Sequence, residues 1–160
     1  MIVRPATRGD DDGIVDAVMP AIRSGETYAL PRDWTAAEAL AYWRSPGHAV
    51  FVAEEDGAVL GTSYVRANQR GGGGHVANAA FMTTTSAAGR GVASALCRHA
   101  LTWAAAQGYA AMQFNFVVAT NTRAVALWRR FGFEVVGRLP GAFRHPLLGF
   151  VDALVMFRGL

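Results

Sequence analysis

Residues 81–96 read Phe81-Met-Thr-Thr-Thr-Ser-Ala-Ala-Gly-Arg-Gly-Val-Ala-Ser-Ala-Leu96, and this stretch decides the fold. The threonines after Phe81 suit the end of an extended strand, and from Val92 onward apolar residues recur at helical spacing. Between them, Gly89 and Gly91 permit backbone conformations and a close approach that a side chain would block. The segment therefore predicts a strand that passes through a glycine turn into an amphipathic helix.

The start of that helix is a candidate phosphate site. The first N–H groups of a helix have no intrahelical partner, and behind glycines an anion can reach them. A Gly-x-Gly before a helix is also an ordinary tight turn, and neither common phosphate fingerprint is complete. The dinucleotide-binding fingerprint needs a third glycine where this chain has Ala93 and Ser94, and the Gly-Lys-Ser/Thr of a P-loop does not follow. Taken alone, the turn leaves both interpretations open.

Length and composition narrow the class of protein. The 160 residues predict a single domain over 1–160, and 52% hydrophobic with 17% charged residues excludes a disordered chain. The net charge of +3 comes from 15 arginines, scattered and without a lysine, which argues against nucleic acid and favours a small anionic ligand. Cys97 is the only cysteine, so no disulfide forms within the chain. Without a signal-like N-terminus or an apolar run of about 18 residues, we expect a cytoplasmic protein that does not bind a membrane.

The order of elements predicts the architecture. Capping and turn residues mark the ends of most elements, as in the capping box Thr35–Glu38 and the hairpin turn Asp56-Gly57. The predicted strands are Ile2–Pro5, His48–Glu54, Ala58–Ala67, His75–Thr84, Tyr109–Val118, Phe133–Leu139 and Phe150–Arg158, the last two around a loop Pro140–Gly149. On Tyr109–Val118, alternation places Met112, Phe114, Phe116 and Val118 on one face. The first predicted helix has its N-cap and first-turn carboxylates at Asp10–Asp12. The second starts at the capping box, and the others span Val92–Gln107 and Thr122–Phe131. The order β-α-α-β-β-β-α-β-α-β-β predicts an α/β (mixed α+β) fold: a mixed, mostly antiparallel sheet of about seven strands flanked by helices.

Two motifs carry a resemblance to a known family. The window Ala88-Gly-Arg-Gly-Val-Ala93 is similar to Gln/Arg-x-x-Gly-x-Gly/Ala, with Ala88 in place of Gln/Arg. Thirty residues later, Asn121-Thr-Arg-Ala-Val-Ala-Leu-Trp128-Arg-Arg-Phe-Gly-Phe133 is similar to Asn-x-x-Ala-x-x-Leu-Tyr-x-x-x-Gly-Phe. Both are motifs of the GCN5-related N-acetyltransferase family (GNAT), and the element order resembles that fold from Ile2 to Arg158.

The resemblance implies an enzyme that uses acetyl-CoA and needs no metal. It implies that the backbone of Phe81–Thr83 binds the pantetheine arm and that amides at the start of the helix hold the pyrophosphate. Asn121 would reach the cofactor through its amide, although it is also suited to a plain N-cap. The implied cofactor-binding residues are Phe81, Met82, Thr83, Gly89, Arg90, Gly91, Val92, Ala93, Ser94, Asn121 and Trp128.

Trp128 is the departure with chemical consequences. Many family members carry there a tyrosine that protonates the departing thiolate, and an indole N–H is no general acid at neutral pH. A thiol is already a tolerable leaving group, so solvent or the newly formed ammonium could supply the proton. Core packing is the alternative role of this residue.

The general base is not assignable from the sequence. Family members often carry a glutamate on the strand before the glycine turn, and His75–Thr84 has no carboxylate. Glu26, His75 and Asp152 are the candidates, and each is equally a solvated or capping residue. A base that acts through water is the alternative.

Asn78 and Asn115 are candidate substrate-binding residues. Each lies mid-strand among apolar neighbours, where asparagine is unfavourable unless its amide is paired. The alternative is a pair of satisfied structural amides. The segments around them, with Trp128, resemble the fungal acetyltransferases of azetidine-2-carboxylate and proline analogues, in which matching asparagines contact the amino acid.

The sequence therefore favours an acetyl-CoA-dependent N-acetyltransferase of a small amine, an amino or imino acid, by direct attack in a ternary complex. The alternatives are a protein N-terminal or lysine acetyltransferase and a non-catalytic acyl-CoA-binding regulatory module. The resemblance and the apolar final strands also suggest a homodimer.

Overall fold

Seven strands form one mixed sheet in the computed structural model, which describes residues 1–160. The strands are β1 (Ile2–Pro5), β2 (Ala49–Glu55), β3 (Ala58–Ala67), β4 (Val76–Thr83), β5 (Ala111–Val118), β6 (Glu134–His145) and β7 (Gly149–Gly159). Their order across the sheet is β1-β2-β3-β4-β5-β7-β6. All neighbours are antiparallel except β4 and β5, which confirms the predicted mixed, mostly antiparallel sheet.

Four helices cover the sheet, and two apolar clusters fill the layers. The helices are α1 (Asp11–Ser24), α2 (Ala36–Trp43), α3 (Val92–Ala106) and α4 (Thr122–Arg130). Ile14, Val18 and Ile22 of α1 form one cluster with Trp43 of α2. The second cluster joins α3 and α4 to the sheet and includes Leu96, Cys97, Met112, Phe114, Trp128 and Phe133. The predicted order of helices and strands is confirmed. None of the helices has both the length and the apolar character needed to cross a bilayer.

Local signals placed two element boundaries correctly. The Thr35 hydroxyl accepts a hydrogen bond from the Glu38 N–H at 3.2 Å, while the Glu38 carboxylate accepts one from the Thr35 N–H at 2.7 Å. At the hairpin turn, Asp56 and Gly57 have φ of +51° and +81°, the left-handed conformations that this turn requires.

Asp10 does not cap α1 with its side chain, contrary to the expectation for 10–12. Its buried carboxylate accepts hydrogen bonds from the Arg4 guanidinium at 2.8 and 2.9 Å and from the Thr7 N–H at 2.7 Å. These bonds hold the pKa of Asp10 far below its usual range, with the bond from Arg4 as the largest cause. A charged partner on β1 thus outcompetes the helix N–H groups for this carboxylate.

The predicted loop Pro140–Gly149 is mostly strand. β6 continues to His145, and its register with β7 shifts between Leu139 and Phe143. A bulge of this kind accommodates Pro140, which has no N–H to donate to the ladder. The Gly141 N–H donates instead to the Asp152 carboxylate at 2.9 Å.

The sheet opens between β4 and β5, and this opening positions the site. The two strands pair only at Val76–Ala111 and Ala77–Met112, although both continue beyond. A register shift between Phe114 and Val117 breaks the alternation of β5. Val117 therefore joins the core with Met112 and Phe114, whereas Phe116 contacts Phe143, contrary to the prediction that Phe116 shares the face of Phe114.

Candidate active site

The glycine turn has the predicted conformation. Gly89 and Gly91 both have φ of +78°, and Gly91 is the N-cap of α3. No other atom lies within 4 Å of the position that a Cβ would take at either glycine. The backbone conformation, and not crowding within the protein, therefore requires glycine here.

The N-terminus of α3 is open. The first intrahelical hydrogen bond runs from the Ala95 N–H to the Gly91 carbonyl at 3.0 Å, and no side chain caps the helix. The N–H groups of Val92, Ala93 and Ser94 are therefore unpaired. They border a cavity of about 420 Å³, which we call the turn cavity. Unpaired N–H groups at the positive end of a 15-residue helix are suited to an anionic group.

Helix α4 forms the opposite wall of the turn cavity and adds positive charge. Arg123 and Arg130 both border the cavity, and neither forms a salt bridge. They lie seven residues apart, which places them on one face of the helix. Sequence reasoning missed both, although this spacing within the Asn121–Phe133 motif was a usable signal.

Phe81 and Thr83, but not Met82, direct their backbone polar groups toward the opening. Two hydrogen bonds fix the alternation of the β3–β4 ladder. The Asn68 N–H donates to the Val76 carbonyl at 2.8 Å, and the Thr84 N–H donates to the Leu60 carbonyl at 2.9 Å. Even-numbered residues of β4 thus pair with β3, and odd-numbered residues face β5.

Two predicted cofactor residues border neither cavity. The Met82 side chain is buried against α1 and α2, and the Arg90 guanidinium pairs with Glu55. The other predicted residues border the turn cavity: Phe81, Thr83, Gly89, Gly91, Val92, Ala93, Ser94, Asn121 and Trp128.

A second cavity of about 250 Å³ lies in the opening between β4 and β5, and we call it the gap cavity. Its polar lining includes Tyr28, Tyr42, Tyr64, Arg66, Asn78 and Asn115. The two cavities share a wall made of Phe81, Asn121, Ala124 and Trp128. A group bound in one cavity is therefore adjacent to a group bound in the other.

Both candidate asparagines border the gap cavity, and both are already hydrogen-bonded. Asn78, 7% exposed, donates from Nδ2 to the Gln113 carbonyl at 2.9 Å and so bridges the strands where their ladder has ended. Asn115 donates to the Asn68 side-chain oxygen at 2.6 Å and accepts from the Gln113 side chain at 2.9 Å. The two amides thus have the structural role that was the alternative, at positions that also face the cavity.

Tyr28 closes the gap cavity from the loop between α1 and α2. Its hydroxyl donates to the Phe81 carbonyl at 2.7 Å and accepts from the Phe81 N–H at 3.1 Å. Burial raises the pKa of this phenol to about 12. Sequence reasoning gave Tyr28 no role, because nothing local indicates a partner 53 residues away.

Asn121 and Trp128 combine structural roles with positions at the shared wall. The Asn121 side-chain oxygen accepts from the Ala124 N–H at 3.3 Å, so this residue is the N-cap of α4. The Trp128 ring is buried, with its centroid 5.0 Å from that of Phe81 and 5.1 Å from that of Phe114.

None of the three candidate bases borders either cavity. Glu26 and His75 are exposed, and neither belongs to a cavity wall. Asp152 accepts from the Gly141 N–H and, at 2.7 Å, from Arg138, and these bonds lower its pKa, with the backbone bond as the larger cause. Asp152 thus stabilises the β6–β7 hairpin.

The gap cavity has no carboxylate, imidazole or thiol in its wall. Burial raises the pKa of the Cys97 thiol to about 12, which makes it a packed residue without a thiolate at neutral pH. No group of three or more His, Cys, Asp or Glu side chains is arranged to hold a metal ion.

Comparison with known proteins gives a consistent result. Residues 15–133 match the model of the acetyltransferase (GNAT) family. A GCN5-related N-acetyltransferase from Kribbella flavida is 42% identical, with a TM-score of 0.94 over 99% of this chain and 97% of that one. A phosphinothricin acetyltransferase from Sinorhizobium meliloti in complex with AcCoA shares the fold, with a TM-score of 0.87 and 22% identity over 99% of this chain and 88% of its own.

A curated relative, N-acetyltransferase aca1 of Schizosaccharomyces pombe, is 32% identical over 101 residues, or 61% of this chain. The chain spans about half of that relative's length, 47%. Since the family match includes the glycine turn, the opening of the sheet and α4, and the Kribbella flavida structure agrees over nearly the whole chain, this chain belongs to the acetyltransferase (GNAT) family.

Proposed function

We propose that this protein transfers an acetyl group from acetyl-CoA to the amine of a small amino or imino acid. The observation that carries the proposal is the shared wall of the two cavities at Phe81, Asn121, Ala124 and Trp128. It allows a cofactor in the turn cavity and an acceptor in the gap cavity to meet. The transfer is then a direct attack in a ternary complex.

The turn cavity fits acetyl-CoA. The unpaired N–H groups of Val92, Ala93 and Ser94 bind pyrophosphate oxygens, and Arg123 and Arg130 add charge for the phosphates. The backbone groups of Thr83 pair with the pantetheine arm, and the Asn121 amide donates to it. Those of Phe81 join them once the arm displaces the Tyr28 hydroxyl, which bonds to both in this structure. The Sinorhizobium meliloti acetyltransferase, which shares the fold, was solved in complex with AcCoA, and this supports acetyl-CoA as the cofactor.

The gap cavity suits a small acceptor. Its volume of about 250 Å³ lies below the roughly 300–1,000 Å³ of pockets for drug-sized ligands. The resemblance of the segments around Asn78 and Asn115 to acetyltransferases of azetidine-2-carboxylate and proline analogues supports a cyclic imino acid.

The lining of the gap cavity predicts that water, and not a side chain, takes the proton of the amine. Bound acetyl-CoA supplies a thioester; the amine nitrogen bonds to its acyl carbon as the carbon–sulfur bond breaks and the thiolate leaves. The amine loses its proton to water, because the gap cavity offers neither carboxylate nor imidazole. The chain's part in the reaction is to position two substrates and exclude bulk water.

Both alternatives make different predictions. An acetyltransferase of protein N-termini or lysines needs an open groove, whereas Tyr28 bonds across the gap cavity to Phe81. A non-catalytic acyl-CoA module would bind CoA in the turn cavity and accept no amine.

Release of free thiol from acetyl-CoA tests the proposal. We expect azetidine-2-carboxylate or proline to accelerate release at least 100-fold over the rate without amine, and Ala- or Ser-terminal peptides to have no effect. Tight CoA binding without acceleration by any amine would favour the non-catalytic module. Acceleration by peptides alone would favour the protein acetyltransferase.

We propose also that the protein forms a homodimer through the β6–β7 hairpin, because Leu147, Leu148 and Phe150 are exposed there. The cytoplasmic location expected from the single cysteine stays a prediction.

A further inference from the structure

Arg66 is the one cation in the wall of the gap cavity. It lies on β3 directly opposite Asn78 of β4, and both side chains are on the same face of the sheet. Sequence reasoning did not single it out, since an arginine near a strand end is usually solvated.

The Arg66 charge has no counter-ion. Its Nε is buried without a hydrogen-bond partner, and no salt bridge involves this guanidinium. Four other arginines pair with carboxylates: Arg4, Arg44, Arg90 and Arg138. No Asp or Glu borders the gap cavity. A partly buried guanidinium without an anion is unfavourable, because it loses hydration and gains no partner.

Asn78 and Asn115 do not provide a charged partner for a bound anion. Asn78 uses one amide hydrogen for the Gln113 carbonyl, and Asn115 uses one for Asn68. An amide is neutral, whereas a guanidinium offers a planar pair of N–H donors that matches a carboxylate. The tyrosines of the wall do not balance the charge either, because burial raises the pKa of Tyr28 and of Tyr64 and keeps both phenols neutral.

We propose that Arg66 binds the carboxylate of the acceptor and so restricts the enzyme to amines that carry one. This inference rests on the proposed function and names the residue that sets its substrate class. Along β4, Asn78 and Phe81 are three residues apart, about 10 Å at the usual rise. An arginine side chain is long enough to bridge part of that distance, so a carboxylate held by the Arg66 guanidinium places the acceptor's amine toward the shared wall at Phe81 and Trp128.

The first test compares an acid with its neutral analogue. For the wild type, with each kcat/KM expressed per concentration of free amine, we expect the value for proline or azetidine-2-carboxylate to exceed that for the corresponding carboxamide about 100-fold. Arg66→Gln should reduce this ratio about 10- to 150-fold, through a higher KM for the acid, because a lost charge-assisted hydrogen bond weakens binding by that factor. The KM for acetyl-CoA should be unchanged. Arg66→Lys should be intermediate, since it keeps the charge without the paired donors.

The matched control is Arg70→Gln, which removes the same charge from an exposed position outside both cavities. It should keep the wild-type preference for the acid. A wild type that acetylates acid and carboxamide equally well, or an Arg66→Gln variant that keeps the preference, would overturn the proposal.

The second test does not depend on catalysis. Tetrahydrofuran-2-carboxylate has the ring and carboxylate of proline but no amine. We expect it to raise the melting temperature of the wild type and of Arg70→Gln, but not that of Arg66→Gln. Binding of this anion without acetylation of any amine would mean that the anion site exists and the proposed activity is wrong. Acetylation of amines without binding of the anion would mean that the proposed activity is right and the carboxylate site at Arg66 is wrong.

Discussion

Asn121 illustrates how a single residue can have both structural and chemical roles. Its side-chain oxygen caps α4, while the same side chain borders both cavities. The cap and the proposed contact to the cofactor use different atoms of the amide, Oδ1 and Nδ2. Substitutions can therefore separate them.

We predict that Asn121→Ala lowers the free energy of unfolding by about 1 kcal/mol through the lost cap. It should also weaken CoA binding roughly 3- to 10-fold, the effect of one neutral hydrogen bond. Asn121→Ser restores an oxygen that can cap the helix, so it should recover stability but not affinity. Chemical denaturation and calorimetric titration with CoA measure the two effects. Full recovery of affinity in Asn121→Ser would exclude the Nδ2 contact.

The pKa values of single side chains decide whether the gap cavity contains a general base. Burial raises the pKa of Tyr28 to about 12 and raises that of Tyr64 as well. The imidazole of His48 stacks on Tyr64 but does not border the cavity, and burial lowers its pKa. The phenols are therefore not bases near pH 7, and the imidazole is excluded by its position.

We therefore predict that the pH dependence of kcat/KM follows the ionisation of the substrate's amine. Below the amine pKa, kcat/KM should rise about tenfold per pH unit, because only the free amine attacks. Replacing proline by 4,4-difluoroproline, a more acidic ammonium, should move the profile to lower pH by the difference in amine pKa. A break that stays at one pH near 4 or 6.5 for both amines would show that the enzyme supplies a carboxylate or histidine base.

Helix α3 provides an internal comparison at the level of elements. Gly91 at its N-terminus and Gly108 just beyond its C-terminus have φ of +78° and +86°, and neither has an atom within 4 Å of a Cβ position. Only Gly91 borders the turn cavity. The two glycines therefore share the conformational demand and differ in their relation to the ligand.

We predict that Gly91→Ala and Gly108→Ala each destabilise the protein by about 1 kcal/mol, the strain of a left-handed alanine. CoA affinity should fall at least tenfold in Gly91→Ala alone, because its Cβ obstructs the approach of the pyrophosphate to the backbone. Thermal unfolding and calorimetric titration measure the two quantities. An equal loss of affinity in Gly108→Ala would mean that helix stability, and not access to the turn, controls binding.

At the scale of the whole molecule, the exposed apolar residues are concentrated at one end of the sheet. Leu147 and Phe150, which are 81% and 75% exposed, lie at the tip of the β6–β7 hairpin. Ile2, 59% exposed, lies at the opposite edge on β1.

We predict a solution mass of twice the 17.0 kDa of the chain. Leu147→Glu with Phe150→Glu should shift it to that of one chain, because a dimer interface through the hairpin would bury these carboxylates without partners. The circular dichroism spectrum should remain that of the folded protein. Ile2→Glu, at the other edge, should leave the dimer intact. Light scattering after size-exclusion chromatography measures the mass. A monomeric wild type, or a dimer disrupted only by Ile2→Glu, would contradict the prediction.

The sequence by itself determined the element order and the glycine turn, because both are written in local patterns. Left-handed positions demand glycine at Gly89 and Gly91, and a capping box marks α2 at Thr35. It misplaced the end of β6 and the face of Phe116, because register shifts arise from pairing with β7, which is distant in the sequence.

Only the tertiary structure decided how the gap cavity is lined. Tyr28 meets Phe81 across 53 residues, and Asn78 meets Gln113 across 35. In the same structure, Arg66 has no anionic partner, and Glu26, His75 and Asp152 lie outside both cavities. The physical reason is that periodicity and capping report on neighbours along the chain. The charge and hydrogen bonding of a cavity depend on which strands part and on which side chains then face the opening.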